Sequence, residues 1–259
     1  MQYVLDILNS RHFWIHLSRS ELRGRFRHSR LGILWALLQP LLLTLLISFV
    51  FGAVFRQPIG DFAPFVFSGI LVWDFLSMSV VGGCGSIIAA GPYIKQRKLP
   101  IVIYPLKLTL TNGVISLIAF VGLLGWVLLT RPRNFGPPFL SLLLTVPILF
   151  AIGWPLAIIS AFINTKFRDF QLFVGLVLQA IYFMSPVFIK PELFEKAGIG
   201  WVLTYNPVAH ILQLVRAPLL EKAFPTLTDY GFAVGFAVLV WLVALYKMRR
   251  EEADLIFYL

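Results

Sequence analysis

Five apolar runs, each of the roughly 20 residues a helix needs to cross a hydrocarbon layer of about 30 Å, constrain this chain more than any other feature. They are Leu31 to Phe55, Phe62 to Ala90, Leu108 to Leu129, Pro138 to Ile163 and Phe170 to Ile189, and Asp74 is the one charge inside the second. Backbone in lipid must satisfy its own hydrogen bonds, so each run reads as a helix. Tyr230 to Tyr246 is shorter, but a tyrosine at each end and Lys247, Arg249 and Arg250 behind it suit a sixth span. The expected fold class is an all-α integral membrane protein with six transmembrane helices. Composition agrees, since 59% of the 259 residues are hydrophobic and 13% charged, with mean hydropathy +0.85. A soluble domain with a water-facing surface does not reach such values.

Between the fifth and sixth runs, residues 190–229 carry apolar stretches too short to cross. Pro191, Asn206-Pro207, Pro218 and Pro225 and charges of both signs break them up. Re-entrant helices, leaving by the face they came in by, are the economical reading. The first 30 residues are charged and precede any long apolar run, and no small-residue cleavage site follows, so they do not read as a cleavable signal. A helix drawn through residues 11 to 23 puts His12, His16, Arg19 and Arg23 on one stripe, with Phe13, Trp14, Ile15, Leu17 and Leu22 on the other side. It is expected to lie flat on the membrane surface. Without repeat or linker the chain reads as a single domain: residues 1–30 a surface segment, 31–189 five spans, 190–229 the re-entrant region, 230–246 the sixth span and 247–259 a tail.

Lys and Arg alternate between the two faces. The N-terminal segment, the second and fourth loops and the tail hold 14 of them, and the opposite loops 7. The positive-inside rule places both termini in the cytoplasm and the re-entrant region outside.

Absences bound the chemistry. No Gly-Lys dipeptide occurs, so a Walker A loop, whose Lys follows Gly to reach phosphates, cannot form in these residues. Energy from ATP would have to come from a partner. His12 and His16 at i, i+4 lack a third ligand nearby, and no Gly-x-Ser-x-Gly turn occurs, so neither a metal site nor a hydrolase is supported. Cys84 is the single cysteine, which rules out an intrachain disulfide. No catalytic residue is assigned. Asp74 is expected to face protein or water as an intramembrane polar point, unless the span begins later and leaves it near the outer interface. Gly82, Ser86 and Ala90 recur at i, i+4, i+8 and suit close helix packing. Arg23, Arg25, Arg27 and Arg30 fall within eight residues before the first span, a topology anchor that could also dock a phosphorylated headgroup. Gly91 to Pro100 is a short basic loop with Pro92 and Pro100 near its ends, rigid enough to receive force from a soluble partner.

Several segments together resemble one family. The run Arg25-x-Arg27-x-Ser29-x-Leu31-Gly32-x-x-Trp35-x-x-x-x-Pro40 resembles the opening of ABC-2 type permeases, particularly those exporting polysaccharides and polyol phosphates. Leu99-Pro100 through Tyr104-Pro105 resembles the family's Phe-Pro-x-x-x-x-Pro approach to the third span, with Leu99 for the usual Phe. Phe167-Arg168-Asp169, Ser185-Pro186-Val187-Phe188 and Asn206-Pro207 followed by Arg216 are similar to later family segments, in order and at family-like spacing.

The resemblance implies a homodimeric half-transporter, two copies pairing with two copies of a separate ATPase that holds ATP and Mg, in the bacterial inner membrane. It implies a coupling helix including Tyr93, Lys95, Gln96, Arg97, Lys98 and Leu99, a cytoplasmic loop at Arg168 and Asp169, and an outer gate involving Ser185, Pro186, Asn206, Pro207 and Arg216. Headgroup docking would fall to Arg25, Arg27 and Arg30, and the cargo would be a lipid-linked polysaccharide such as an O-antigen or capsule chain. The 15% aromatic content, with 24 Phe, suits sugar faces that slide without fixed register. An exporter of small hydrophobic molecules is the near alternative, and a membrane transferase acting on lipid-linked sugars a more distant one.

Overall fold

The computed structural model describes residues 2–96, 99–130, 134, 136–252 and 254–258. Among them twelve α-helices form: α1 (Gln2–Asn9), α2 (Arg11–Phe26), α3 (Trp35–Val54), α4 (Ile59–Ser86), α5 (Gly91–Gln96), α6 (Ile103–Thr130), α7 (Leu142–Lys166), α8 (Phe170–Met184), α9 (Pro191–Lys196), α10 (Trp201–Tyr205), α11 (Pro207–Arg216) and α12 (Leu227–Glu251). No strand occurs among the described residues.

Five of these elements are long and apolar enough to cross a bilayer: 32–54, 59–86, 103–130, 137–166 and 227–251. The expected fifth span is different. Residues 170–189 do not make one helix; α8 stops after 15 residues at Met184, an axial length of about 22 Å. Ser185-Pro186 ends it because Pro has no N–H for the next turn and biases Ser185 to extended backbone, observed at φ −108, ψ 148. The bounds of the other spans shift from their apolar runs, and the third and sixth run longer. The second begins at Ile59 and the third at Ile103, taking in Lys107, while the sixth continues past Tyr246 to Glu251.

Packing inverts the pattern of a soluble protein. On α3 the buried positions are Ala36, Pro40, Thr44, Ser48 and Gly52, one small residue per turn, while Leu42, Leu46, Phe49 and Val54 face outward. Lipid tails are as apolar as leucine, so helices associate through close backbone approach rather than burial of large side chains. Helix α4 is the hub: 67% of its apolar window is buried against 17–39% for the others, and it packs on α3, α6, α7, α8 and α11. Its tightest neighbour is α7. A Cβ on Gly83 would stand 2.7 Å from the Ala157 backbone, whereas one on Gly82 would meet only the side chain of Leu108, at 3.1 Å. The close-contact register therefore runs through Ser79 and Gly83 against Gly153 and Ala157, one residue off the Gly82-Ser86-Ala90 stripe expected from spacing. Asn164 locks the same pair, donating from Nδ2 to the Cys84 carbonyl at 2.9 Å and accepting the Gln171 amide, at the start of α8, at 3.1 Å.

The surface segment is two helices rather than one. On α2, His12, His16, Arg19 and Arg23 are exposed and Phe13, Trp14, Ile15, Leu17 and Leu22 are half-buried, as the helical spacing predicts. The helix is pinned to α6 by a Lys107–Glu21 ion pair at 2.9 Å, a Ser18–Thr111 hydrogen bond at 3.0 Å, and Arg25 Nη1 donating to Asn112 Oδ1 at 3.4 Å. Gly32 then turns the chain from this surface into the first span at φ +53, a left-handed conformation that a side chain would strain.

Gly83→Ala should therefore destabilise the protein by about 1–3 kcal/mol, the usual range for overpacking a rigid contact, and Gly82→Ala by clearly less. Thermal unfolding of the purified protein in detergent measures both, and the opposite order would contradict the observed register.

Candidate functional site

The two ends of the bundle carry different devices. At the end remote from the termini, Arg216 closes α11 and is 3% exposed. Its Nη1 donates to the Pro186 carbonyl at 2.6 Å, Nη2 to the carbonyls of Val187 at 2.7 Å and Phe65 at 3.1 Å, and Nε to Ser68 Oγ at 3.3 Å. The guanidinium lies on the Phe65 ring, its carbon 3.6 Å from the centroid. A planar fork of five N–H donors can serve several acceptors at once, which a lysine ammonium cannot match in geometry. The acceptors need it: α8 ends at Met184, and the carbonyls of 186 and 187 fall outside any helix ladder. Gly69 leaves the room, since a Cβ there would collide with the Val187 carbonyl and the guanidinium.

Asn206 does the matching work at the other end of α11. Its Nδ2 donates to Ser185 Oγ at 2.8 Å and to the Met184 carbonyl at 3.2 Å, while Oδ1 accepts the Val208 amide at 2.9 Å and so caps the helix. Pro207 occupies the first helical position, where its missing N–H costs nothing. Ser185, Pro186, Asn206 and Arg216 thus meet in one hydrogen-bonded clasp, with Pro207 setting the start of the helix that spans it.

A second connection ties α11 to α12. His210 Nδ1 is 2.8 Å from Asp229 Oδ1, its Nε2 is 3.1 Å from the Thr204 carbonyl, and its ring stacks on Phe232 at 4.1 Å between centroids. Asp229 Oδ2 also accepts from the Thr226 amide at 3.0 Å and hydroxyl at 2.6 Å, forming the capping box that starts α12. Neither His210 nor Asp229 is among the residues expected from sequence; the Thr226-x-x-Asp229 spacing is the signal that could have found the latter. A cleft of about 790 Å³ opens here, lined by His210, Gln213, Arg216, Glu192, Glu195 and Glu221 among others.

Asp74 lies 15 residues into α4, about 22 Å from its start, so it is at mid-span and not at an interface. It borders two spaces. One, of about 160 Å³, also touches Arg25, Phe26, Trp35 and Gln39; the other, of about 430 Å³, runs between α3, α4 and α8 past Trp73, Ser77, Gln179, Tyr182 and Phe183. The second combines aromatic faces with a carboxylate, an amide and hydroxyls, the chemistry that contacts sugars.

At the end carrying the termini, α5 occupies Gly91–Gln96 and exposes Tyr93, Lys95 and Gln96, while Leu99 packs onto a core of Ile7, Ile87, Ile101, Val102, Ile158 and Leu255. Arg97 and Lys98 lie outside the described residues. Arg27 and Arg30 are exposed, whereas Arg25 turns to Asn112, so the three do not form one equivalent patch. Arg168 donates to the Tyr258 carbonyl at 3.2 Å, and Asp169 is exposed at the start of α8, its side chain making no capping bond. Among the described residues no three His, Cys, Asp or Glu converge as a metal site.

Replacing Arg216 with Leu should cost about 2–4 kcal/mol, since buried carbonyls lose their donors, while Ser68→Ala should cost about 1 kcal/mol or less. Thermal melts in detergent read both. Arg216→Lys should fall close to Leu, and full rescue by Lys would contradict the role of the planar fork.

Comparison with known proteins fits this architecture. Residues 12–220 match the ABC-2 type transporter family. The chain is 30% identical over 259 residues to the O-antigen export system permease protein RfbA of Myxococcus xanthus, covering 97% of this chain and 98% of that one. It is 27% identical over 222 residues to the protein of that name from Klebsiella pneumoniae, covering 81% and 78%. It is 25% identical over 239 residues to the polysialic acid transport protein KpsM of Escherichia coli, covering 89% and 91%. The chain belongs to the ABC-2 type transporter family and is a multi-pass membrane protein.

Proposed function

From that membership we propose that the chain is the permease subunit of an exporter that moves a lipid-linked polysaccharide across the bacterial inner membrane, driven by a separate ATPase subunit. The observation that carries this is the similarity to a permease named for O-antigen export over nearly the whole of both chains. The related protein named for polysialic acid transport points to the same class of cargo. Small hydrophobic cargo has no comparable support among these relatives.

Each part of the chain has a role in this reading. Both termini, the α2 surface helix and α5 face the cytoplasm, in line with the excess of Lys and Arg on that side. The ATPase holds ATP and Mg and presses on the loop from Gly91 to Pro100, where exposed Tyr93, Lys95 and Gln96, with Arg97, Lys98 and Leu99, give it a basic and partly apolar contact. Arg168 and Asp169 flank that contact. A second copy of the chain packs against the outer faces of α3 and α8, which expose Leu46, Phe49, Leu172, Phe173 and Leu176. The sugar chain slides along the groove between those helices, past Trp73, Asp74, Gln179 and Tyr182. The clasp of Ser185, Pro186, Asn206, Pro207 and Arg216 is the outer gate.

Arg25, Arg27 and Arg30 receive the phosphate of the lipid carrier at headgroup depth. Guanidinium forks bind phosphate oxygens in pairs, and Arg25 stands at the mouth of the small cavity that reaches Asp74. Charge reversal at all three should abolish appearance of glycan at the cell surface while the ATPase still co-purifies with the chain. Export unchanged in cells with correctly inserted protein would remove the docking role.

A further inference from the structure

The C-terminal segment is a built part of the cytoplasmic face. Glu252, the first residue beyond α12, uses one oxygen twice: Oε1 accepts from the Tyr3 hydroxyl at 2.6 Å and from the Ile101 amide at 3.2 Å. Tyr3 belongs to α1, and Ile101 lies between the Gly91–Pro100 loop and the first turn of α6. Burial, reinforced by the Glu252 carboxylate, pushes the Tyr3 phenol well above its ordinary pKa, so it stays the donor. Beside this joint, Glu251 pairs with Lys247 at 3.0 Å and with Lys166 at 3.2 Å. Leu255 is fully buried against Ile7, Ile101, Val102 and Phe162, and the Tyr258 carbonyl accepts from Arg168 at 3.2 Å. Three segments far apart in sequence therefore converge on the end of the last span and the residues after it: the N-terminal helix, the exit of the α5 loop and the α7–α8 loop.

Position at a helix start gives the carboxylate a specific effect. The Ile103 and Tyr104 amides that open α6 bond the carbonyls of Pro100 and Ile101, which leaves the Ile101 amide just before them for a side-chain acceptor, and a negative charge there suits the helix dipole. Glu252 supplies it from the other end of the chain. With the joint made, the α5 loop cannot tilt about Leu99 and Pro100 without dragging α1 and α12.

We propose that Glu252 is a positioning residue for energy coupling, joining the N-terminal helix and the exit of the Gly91–Pro100 loop to the last span so that a push on that loop moves α6 instead of bending the connection. The proposal rests on the reading that this loop receives the ATPase.

The test compares Glu252→Ala, Glu252→Gln and Tyr3→Phe in the chain co-purified with its ATPase, reading glycan exported per ATP hydrolysed and hydrogen exchange of amides 101–106 with and without ATP. Glu252→Ala should export about tenfold less per ATP, the effect of a lost charge-assisted hydrogen bond, and should lose the ATP-dependent change in exchange. Glu252→Gln keeps an acceptor oxygen and should restore most of both, and Tyr3→Phe should fall between. An ATP response and yield per ATP retained in Glu252→Ala overturn the proposal. So does a loss of export in all three that merely tracks the amount of folded complex. A chain that binds no ATPase overturns this proposal together with the coupling reading. A complex that responds to ATP at 101–106 but moves no glycan overturns only the export reading.

Discussion

A peptide carbonyl inside hydrocarbon has no water to bond, so every break in a membrane helix has to be repaired by a neighbouring group. Here one break follows Met184, and Arg216 repairs it. One buried guanidinium takes the carbonyls of Phe65, Pro186 and Val187, joining the start of α4, the turn after α8 and the end of α11. The short α8 and the run of short helices after it are possible because of that repair. The cation itself is kept in place by carbonyl and hydroxyl acceptors and an aromatic face.

From this clasp the architecture extends through α4. The helix is buried along most of its length, touches Arg216 acceptors at one end, borders the groove at Asp74 in its middle, and meets α7 backbone to backbone at Gly83. Small residues on α3, α4 and α7 set these distances, and large apolar side chains are left on the outside. A displacement at the end carrying the termini thus has a stiff route toward the clasp. In the proposed exporter that route is how closure of the ATPase would reach the gate, with α6 and α4 as the moving bodies and the tail as the joint.

Much of this was legible in the residues. Long apolar runs identify spans because the bilayer imposes a length, and the polar stripe of α2 followed from helical spacing alone. The Ser185-Pro186, Asn206-Pro207 and Arg216 segments, each resembling the family on its own, share one network. What hid from the sequence has physical reasons. An apolar run cannot tell a helix from an irregular turn shielded by a distant arginine, so residues 185–189 looked like the end of a span. A stripe of small residues does not say which neighbour it meets, so Gly82 stood in for Gly83. Contacts made by Glu252 and His210 join segments 151 and 19 residues apart, and no local pattern encodes such partners. Spacing places Arg25, Arg27 and Arg30 together but does not disclose that Arg25 bonds Asn112 on α6.

As proposed, this permease and a separate ATPase together carry a polysaccharide on its lipid anchor through the membrane. Reconstituting both subunits into proteoliposomes with lipid-linked glycan on the ATPase-facing side tests it most directly, using a lectin or glycosidase that acts only on the opposite side. The account predicts that glycan becomes accessible there with ATP and both subunits, and not when either subunit or ATP hydrolysis is withheld. A complex that forms and hydrolyses ATP while the glycan stays protected would contradict it.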